Sequence, residues 1–156
     1  MAKQVNLDAF MRKENVKIKK EKTKNQGPHD LPDGWKWVKL GEIAETTSGG
    51  TPKRSVEQYW KNGTIPWVKS GELEDNIIND TEEKITKEGL QESNAKIFPK
   101  GTLLVAMYGA TVAKTAILGI NAATNQAVCA IFPKEQIAIR DFIRYYFIHK
   151  RAELIR

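Results

Sequence analysis

Residues 47–55 read TSGGTPKRS, a stretch of hydroxyls, two glycines, a proline and two cations. Two further stretches share this chemistry: YGATVAK over residues 108–114 and NAATNQ over residues 121–126. In each, glycine or alanine lets the backbone come close to a partner. Ser, Thr, Asn and Gln donate and accept hydrogen bonds, and in the first two Lys or Arg neutralises a phosphate. Asn and Gln match the N6/N7 edge of adenine, and Arg and Lys match guanine. Backbone amides and hydroxyls suit phosphate oxygens. The same residue types also make ordinary turns, so the mixture fits DNA contact without requiring it.

The elements that must hold these loops can be read in outline. Pro32-Asp33-Gly34 marks a turn, and Trp35-Lys36-Trp37-Val38 alternates like a strand entering the core. Leu40, Ile43 and Ala44 fit one or two helical turns. The loop of residues 46–51 then ends that helix, with Gly49 and Gly50 free to take positive φ. IPWVKS predicts a short strand, which Pro66 places at a sheet edge or strand start. Thr86 is a candidate N-cap for a short helix through Gln91. Pro99-Lys100-Gly101 predicts a tight turn, and TLLVAMY reads as a buried strand with KTAIL as its hairpin partner. GINAATNQ reads as a polar loop and AVCAIF as a strand ended by Pro133. Ile139, Phe142, Ile143, Tyr146 and Phe147 fall on one face of a last helix that carries no stop signal. Trp35, Trp37 and Trp67 are expected in the core, with Trp60 nearest the surface. The fold class expected is α+β: a compact mixed domain with a twisted β-sheet or partial barrel, short helices and polar loops. Residues 1–30 read as a basic arm and linker, with a short helix capped at Asn6. Residues 31–135 form the domain, and residues 136–156 begin a helical spacer.

At 156 residues and 40% hydrophobic content the chain can bury one real core. The net charge of +6 is uneven. Residues 1–30 carry eight Lys/Arg against four acids, and the remaining 126 positions carry seventeen against fifteen. Residues 72–92 hold eight acids with only Lys84 and Lys87, so one side is expected to repel phosphates and another to attract them. The single cysteine, Cys129, excludes an internal disulfide and reads as a small buried hydrophobe. No apolar run approaches the roughly 20 residues of a membrane span, so a cytoplasmic protein is expected.

Catalytic signatures are missing. There is no phosphate-binding loop of the G-x-x-x-x-G-K-[ST] type and no G-x-G-x-x-G. The Asn/Asp-Pro-Pro-aromatic signature of amino-methyltransferases is absent too. Two histidines, His29 and His149, and one cysteine are too few for a zinc site. Asp33 with Glu82-Glu83-Lys84 imitates a metal-dependent nuclease motif, but the gap is long and the second half lies in a solvated acidic stretch.

The order of the segments narrows the reading. LPDGWKWVKLGEIAETTSGGTPKRSVEQYWKNGTIPWVKSGEL, followed by KITKEGLQESNAKIFPKGTLLVAMYGATVAKTAILGINAATNQAVCAIFP, resembles the target recognition domain of type I restriction-modification specificity subunits. The resemblance runs from about Leu31 to Phe147. It implies a DNA-reading adaptor that catalyses nothing itself. A full subunit carries two such domains on antiparallel helices, each reading half of a split duplex DNA target. It also implies modification subunits that bring S-adenosylmethionine and methylate adenine N6. Restriction subunits would add ATP- and Mg-dependent translocation and cleavage. No cofactor is expected in this chain. One domain alone implies a fragment, or a half-subunit that dimerises. The family often has glycine where Ala113 stands.

Specific roles follow for the loop residues. Ser48, Gly49, Gly50 and Thr51 bring amides and hydroxyls to phosphates, and Lys53 and Arg54 add charge or reach a base edge. Tyr108, Thr111 and Lys114 sit on a hairpin tip at the same surface. Asn125 and Gln126 bond bases or hold the loop, and Lys69 and Ser70 follow a strand onto this surface. A rival reading is a protein-interaction scaffold or inhibitory fragment acting through the apolar face of the last helix.

Overall fold

The structure, a computed structural model, describes residue 27, residues 30–134 and residues 136–155. The helix expected from Asn6, and nearly all of the basic arm, lie outside the described residues. The chain divides into two units, Met1–Trp37 and Val38–Arg156. In the first, Asp33-Gly34 makes a turn closed by Trp35 N donating to Pro32 O at 3.1 Å, with Gly34 at φ 87°. No strand forms at residues 35–38, and Trp35 is 62% exposed. The alternation of tryptophan with charge there does not mark a core strand.

The second unit contains nine strands and three α-helices among the described residues. Strands β1 (Ala44–Ser48), β9 (Val128–Pro133), β6 (Leu103–Ala106), β7 (Thr115–Leu118) and β3 (Asn76–Ile78) form one mixed sheet in that order. A second mixed sheet has the order β4 (Glu83–Ile85), β2 (Ile65–Val68), β8 (Ala122–Thr124) and β5 (Ile97–Phe98). Helices α1 (Leu40–Ile43), α2 (Lys87–Gln91) and α3 (Arg140–Leu154) complete the α+β fold, and no barrel closes.

Side-chain alternation explains the layering. Along β6, Leu104 and Ala106 face a core shared by both sheets, together with Val68, Phe98 and Ala122. Leu103 and Val105 point the other way, into a core with Ala44, Ile131 and Ile143 that Leu40, Ile43 and Phe147 cover. The outer face of the smaller sheet packs Trp67, Ile85 and Ala123 under Trp60 and Leu90. Strands β6 and β7 are therefore buried on both faces, which is why TLLVA and TAIL read as unbroken apolar runs. Each fully buried Leu or Ile contributes about 1.5–3 kcal/mol.

The predicted β6–β7 hairpin, the turn at Gly101 (φ 90°) and the Thr86 cap are all present, with Thr86 Oγ1 accepting from Gly89 N at 3.0 Å. Other local expectations change. The short helix stops at Ile43, and residues 44–48 form β1, paired antiparallel with β9. Gly49 and Gly50 therefore follow a strand, end no helix, and neither has positive φ. Strand β2 lies inside its sheet, so of the two places expected for Pro66 it takes the strand start, second in Ile65–Val68. Pro66 is tolerated because pairing with β8 begins only at Trp67, so no ladder bond on that side is lost. Within the polar run 119–126, Ala122–Thr124 forms the fully buried β8, too short to show alternation. Trp67 is 1% exposed, as expected, and Trp60 packs edge-on against it with centroids 5.0 Å apart. On α3 the apolar face divides: Ile143 is buried, whereas Phe142 and Tyr146 are exposed. No described helix is long and apolar enough to cross a membrane.

Candidate nucleic-acid interface

The loop after β1 and the turn after β8 meet. Gly50 N donates to Thr124 O at 2.9 Å, and Trp67 Nε1 donates to Gly50 O at 3.0 Å. The Thr51 hydroxyl donates to Gln126 Oε1, joining two residues 75 positions apart. The glycines are needed for the approach. A Cβ on Gly49 would stand 2.2 Å from Thr124 O, and one on Gly50 would stand 2.4 Å from the Asn94 carbonyl carbon. Between them opens a cleft of about 550 Å³ lined by Ser48, Gly49, Gly50, Thr51, Asn94, Lys96 and Gln126. Lys96 Nζ donates to Thr47 Oγ1 at 3.0 Å. Asn94 and Lys96 carry no local signal. They are exposed on either side of the buried Ala95, just ahead of β5, and the pairing of β5 with β8 brings them to the cleft.

Asn125 sits beside the cleft and serves its own turn. Its Oδ1 accepts from Ala127 N at 3.2 Å, and its N–H donates to Val68 O at 2.9 Å. Lys69 and Ser70 continue from that same strand end. The Thr111 hydroxyl donates to Ser70 O at 2.8 Å, so the β6–β7 hairpin tip docks there. Tyr108 is 52% exposed at this tip. The candidates thus form two groups: Ser48–Thr51 with Gln126 around the cleft, and Ser70 with Thr111 and Lys114 at the hairpin tip.

The charges are arranged differently from their spacing in sequence. The acidic stretch does not stand apart from the cationic loops. Arg54 pairs with Glu83, Lys69 with Glu82 at 2.5 Å and Glu83 at 3.3 Å, and Lys114 with Glu74 at 2.5 Å. The fold brings these carboxylates back along β4 and the segment before β3, where neutralising the loop cations lowers the electrostatic energy. Arg54 also lies over Trp60 at 3.7 Å and Trp67 at 4.8 Å. The Arg54 guanidinium draws the Glu83 carboxyl below its ordinary 4.5, partial burial opposes the shift, and Lys69 adds to it. The hydrogen bond that Lys69 Nζ donates to Glu82 raises the ammonium above its ordinary 10.5. Lys53 and Lys96 have no ion pair among the described residues.

Glu82 and Glu83 are engaged by Lys69 and Arg54, and no group of three described His, Cys, Asp or Glu residues could hold a metal ion. The arrangement offers hydroxyls, amides and cations at a surface. Burial raises the thiol pKa of the half-buried Cys129.

Comparison with known proteins places the chain in a family. The family model for the type I restriction modification DNA specificity domain matches residues 32–156. The EcoR124I/EcoR124II specificity subunit of Escherichia coli is 27% identical over 123 residues, 77% of this chain and 30% of that protein. The MjaIX specificity subunit of Methanocaldococcus jannaschii is 32% identical over 120 residues, 75% of this chain and 27% of its own length. The chain therefore spans under a third of these curated relatives. The HsdS subunit of Thermoanaerobacter tengcongensis superposes with a TM-score of 0.61 at 22% identity, over 83% of this chain and 31% of that one. A chain from a structure of the type I R-M system gives a TM-score of 0.61 at 24% identity, over 81% of this chain and 30% of that one. These two share the fold. With a family match over residues 32–156, the chain belongs to the type I restriction modification DNA specificity domain family.

Proposed function

We propose that this chain reads one half of a bipartite duplex DNA target for a type I restriction-modification complex. The observation that carries the reading is the meeting of Ser48–Thr51 with Gln126 in one open polar cleft. Around the cleft, hydroxyls and amides meet phosphates and Gln126 reaches a base edge. Lys53 and Arg54 extend that surface. Lys69, Ser70, Tyr108, Thr111 and Lys114 form the second contact region, and Asn125 holds the turn that presents Gln126. The exposed side of α3 serves the modification subunit, through which the restriction subunit joins. S-adenosylmethionine, ATP and Mg act in those subunits, in the cytoplasm, and this chain positions DNA without catalysing. A second copy of the chain would supply the other half-site if it works as a half-subunit.

The test is selection of duplexes from a randomised library by the full chain, at low salt where a lone domain binds in about the 10⁻⁴ to 10⁻⁶ M range. A short shared motif, weakened by Gln126→Ala, is the expected result. Retention of duplexes without any common motif would refute sequence reading.

A further inference from the structure

Three loop cations, Arg54, Lys69 and Lys114, face carboxylates. To hold a phosphate, each must first give up a carboxylate, so its net gain is small. Lys96 differs. It lines the cleft, and its ammonium donates to a neutral hydroxyl, Thr47 Oγ1, leaving its charge uncompensated among the described residues. Ser48 lines the same cleft with a hydroxyl, and Gly49 and Gly50, whose missing side chains let the backbone close against Thr124 and Asn94, bring main-chain atoms to it. A volume of about 550 Å³ admits a phosphate group with the sugar carbons on either side.

We infer that this cleft is a phosphate subsite, with Lys96 supplying the charge and the Ser48 hydroxyl a hydrogen bond, and that its occupant is a backbone phosphodiester of duplex DNA. The choice of occupant rests on the proposed function; the subsite itself rests on the cleft. Lys96 then anchors the interface, and the acid-paired cations contribute less than their number in the sequence implies.

The full chain and its Lys96→Ala, Lys96→Arg, Lys69→Ala and Lys114→Ala variants are titrated with the selected duplex across a salt series. In parallel, inorganic phosphate is titrated while the backbone amide resonances of residues 48–51 are followed. Loss of one phosphate contact lowers the slope of log K against log salt by about 0.9. The expected result is that drop in Lys96→Ala, with the preference for the selected duplex unchanged. Lys96→Arg should restore the slope, and Lys69→Ala and Lys114→Ala should change it less. If Lys96→Ala leaves the slope unchanged while phosphate still shifts the amides and needs Lys96, the backbone occupant is overturned and the subsite takes free phosphate. If neither duplex slope nor amide shifts depend on Lys96, the subsite is overturned. Failure of the wild-type chain to bind any duplex overturns the DNA reading, and the phosphate titration still decides the subsite.

Discussion

Arg151 on α3 grips Asp75 in the turn before β3, with Nη2 at 2.6 and 2.8 Å from the two carboxylate oxygens. Asp75 Oδ1 also accepts from Thr115 N at 3.0 Å and from Thr115 Oγ1 at 2.9 Å. Arg151 Nε reaches Ala113 O at 3.2 Å, and Arg144 donates to Asp75 O at 2.5 Å. One carboxylate therefore ties α3, the base of the hairpin tip and the β3 turn together. Residues 38 to 76 positions apart in sequence become a single joint.

Breaking that joint should cost stability. Asp75→Asn or Arg151→Ala removes charge-assisted bonds at a half-buried site, and each should lower unfolding free energy by roughly 1–3 kcal/mol in urea titration. Burial alone would raise the Asp75 carboxyl; Arg151 and the two Thr115 donors outweigh it and hold it below 3.8. A depressed folded-state value means that its stabilisation is complete above 3.8 and fades as pH falls through the lower folded value. Glu83 behaves in the same way below 4.5. Stability should therefore drop on acidification below about pH 4.5, and the drop should be shallower in Asp75→Asn. Parallel acid profiles of wild type and variant would count against the linkage.

Gly49→Ala and Gly50→Ala each place a methyl under 3.0 Å from backbone atoms. Both should destabilise by about 1–3 kcal/mol as the cleft walls move apart. Gly41→Ala, where a Cβ meets nothing within 4 Å, should hold or raise the melting temperature. Thermal melts of the three variants compare them directly.

Arg54→Lys keeps the charge and loses the close approach of the guanidinium to two indole rings. Calorimetry or denaturant titration should show a loss of roughly 0.5–2 kcal/mol. Tryptophan emission should change with it, because Arg54 Cζ lies 3.7 Å from the Trp60 ring centroid and 4.8 Å from that of Trp67.

Ala113 holds φ 60° and is 3% exposed. Left-handed backbone costs an alanine about 1–2 kcal/mol, which glycine does not incur. Ala113→Gly should stay within about 1 kcal/mol of wild type, since that relief opposes glycine's greater unfolded-state entropy. Ala113→Val should lose more, because a branched side chain adds strain to a turn whose carbonyl already serves Arg151. Stability and expression of soluble protein read out both.

Asn125 and Gln126 should separate by phenotype. Asn125→Ala removes the acceptor for Ala127 N and should lower the melting temperature. Gln126→Ala should leave stability nearly unchanged and cost about 1–3 kcal/mol on the selected duplex alone. Equal losses on selected and scrambled duplexes would move Gln126 from base reading to backbone contact.

Local chemistry determined much of this protein from sequence. The buried hairpin of β6 and β7, the Thr86 cap, the Gly101 turn and the family motifs all depend on neighbours within a few residues. Such signals are written in adjacent side chains. The cleft is different. Thr51 meets Gln126, Lys96 meets Thr47, and Arg54, Lys69 and Lys114 meet acids that the one-dimensional charge pattern had set apart. Strand β8 was hidden in a polar loop because three buried residues carry no period. The exposed Trp35 imitated a strand that never paired. Pairing between distant strands is decided by packing across both sheets, and this long-range term fixed which glycines lie against backbone and which loop cations face carboxylates.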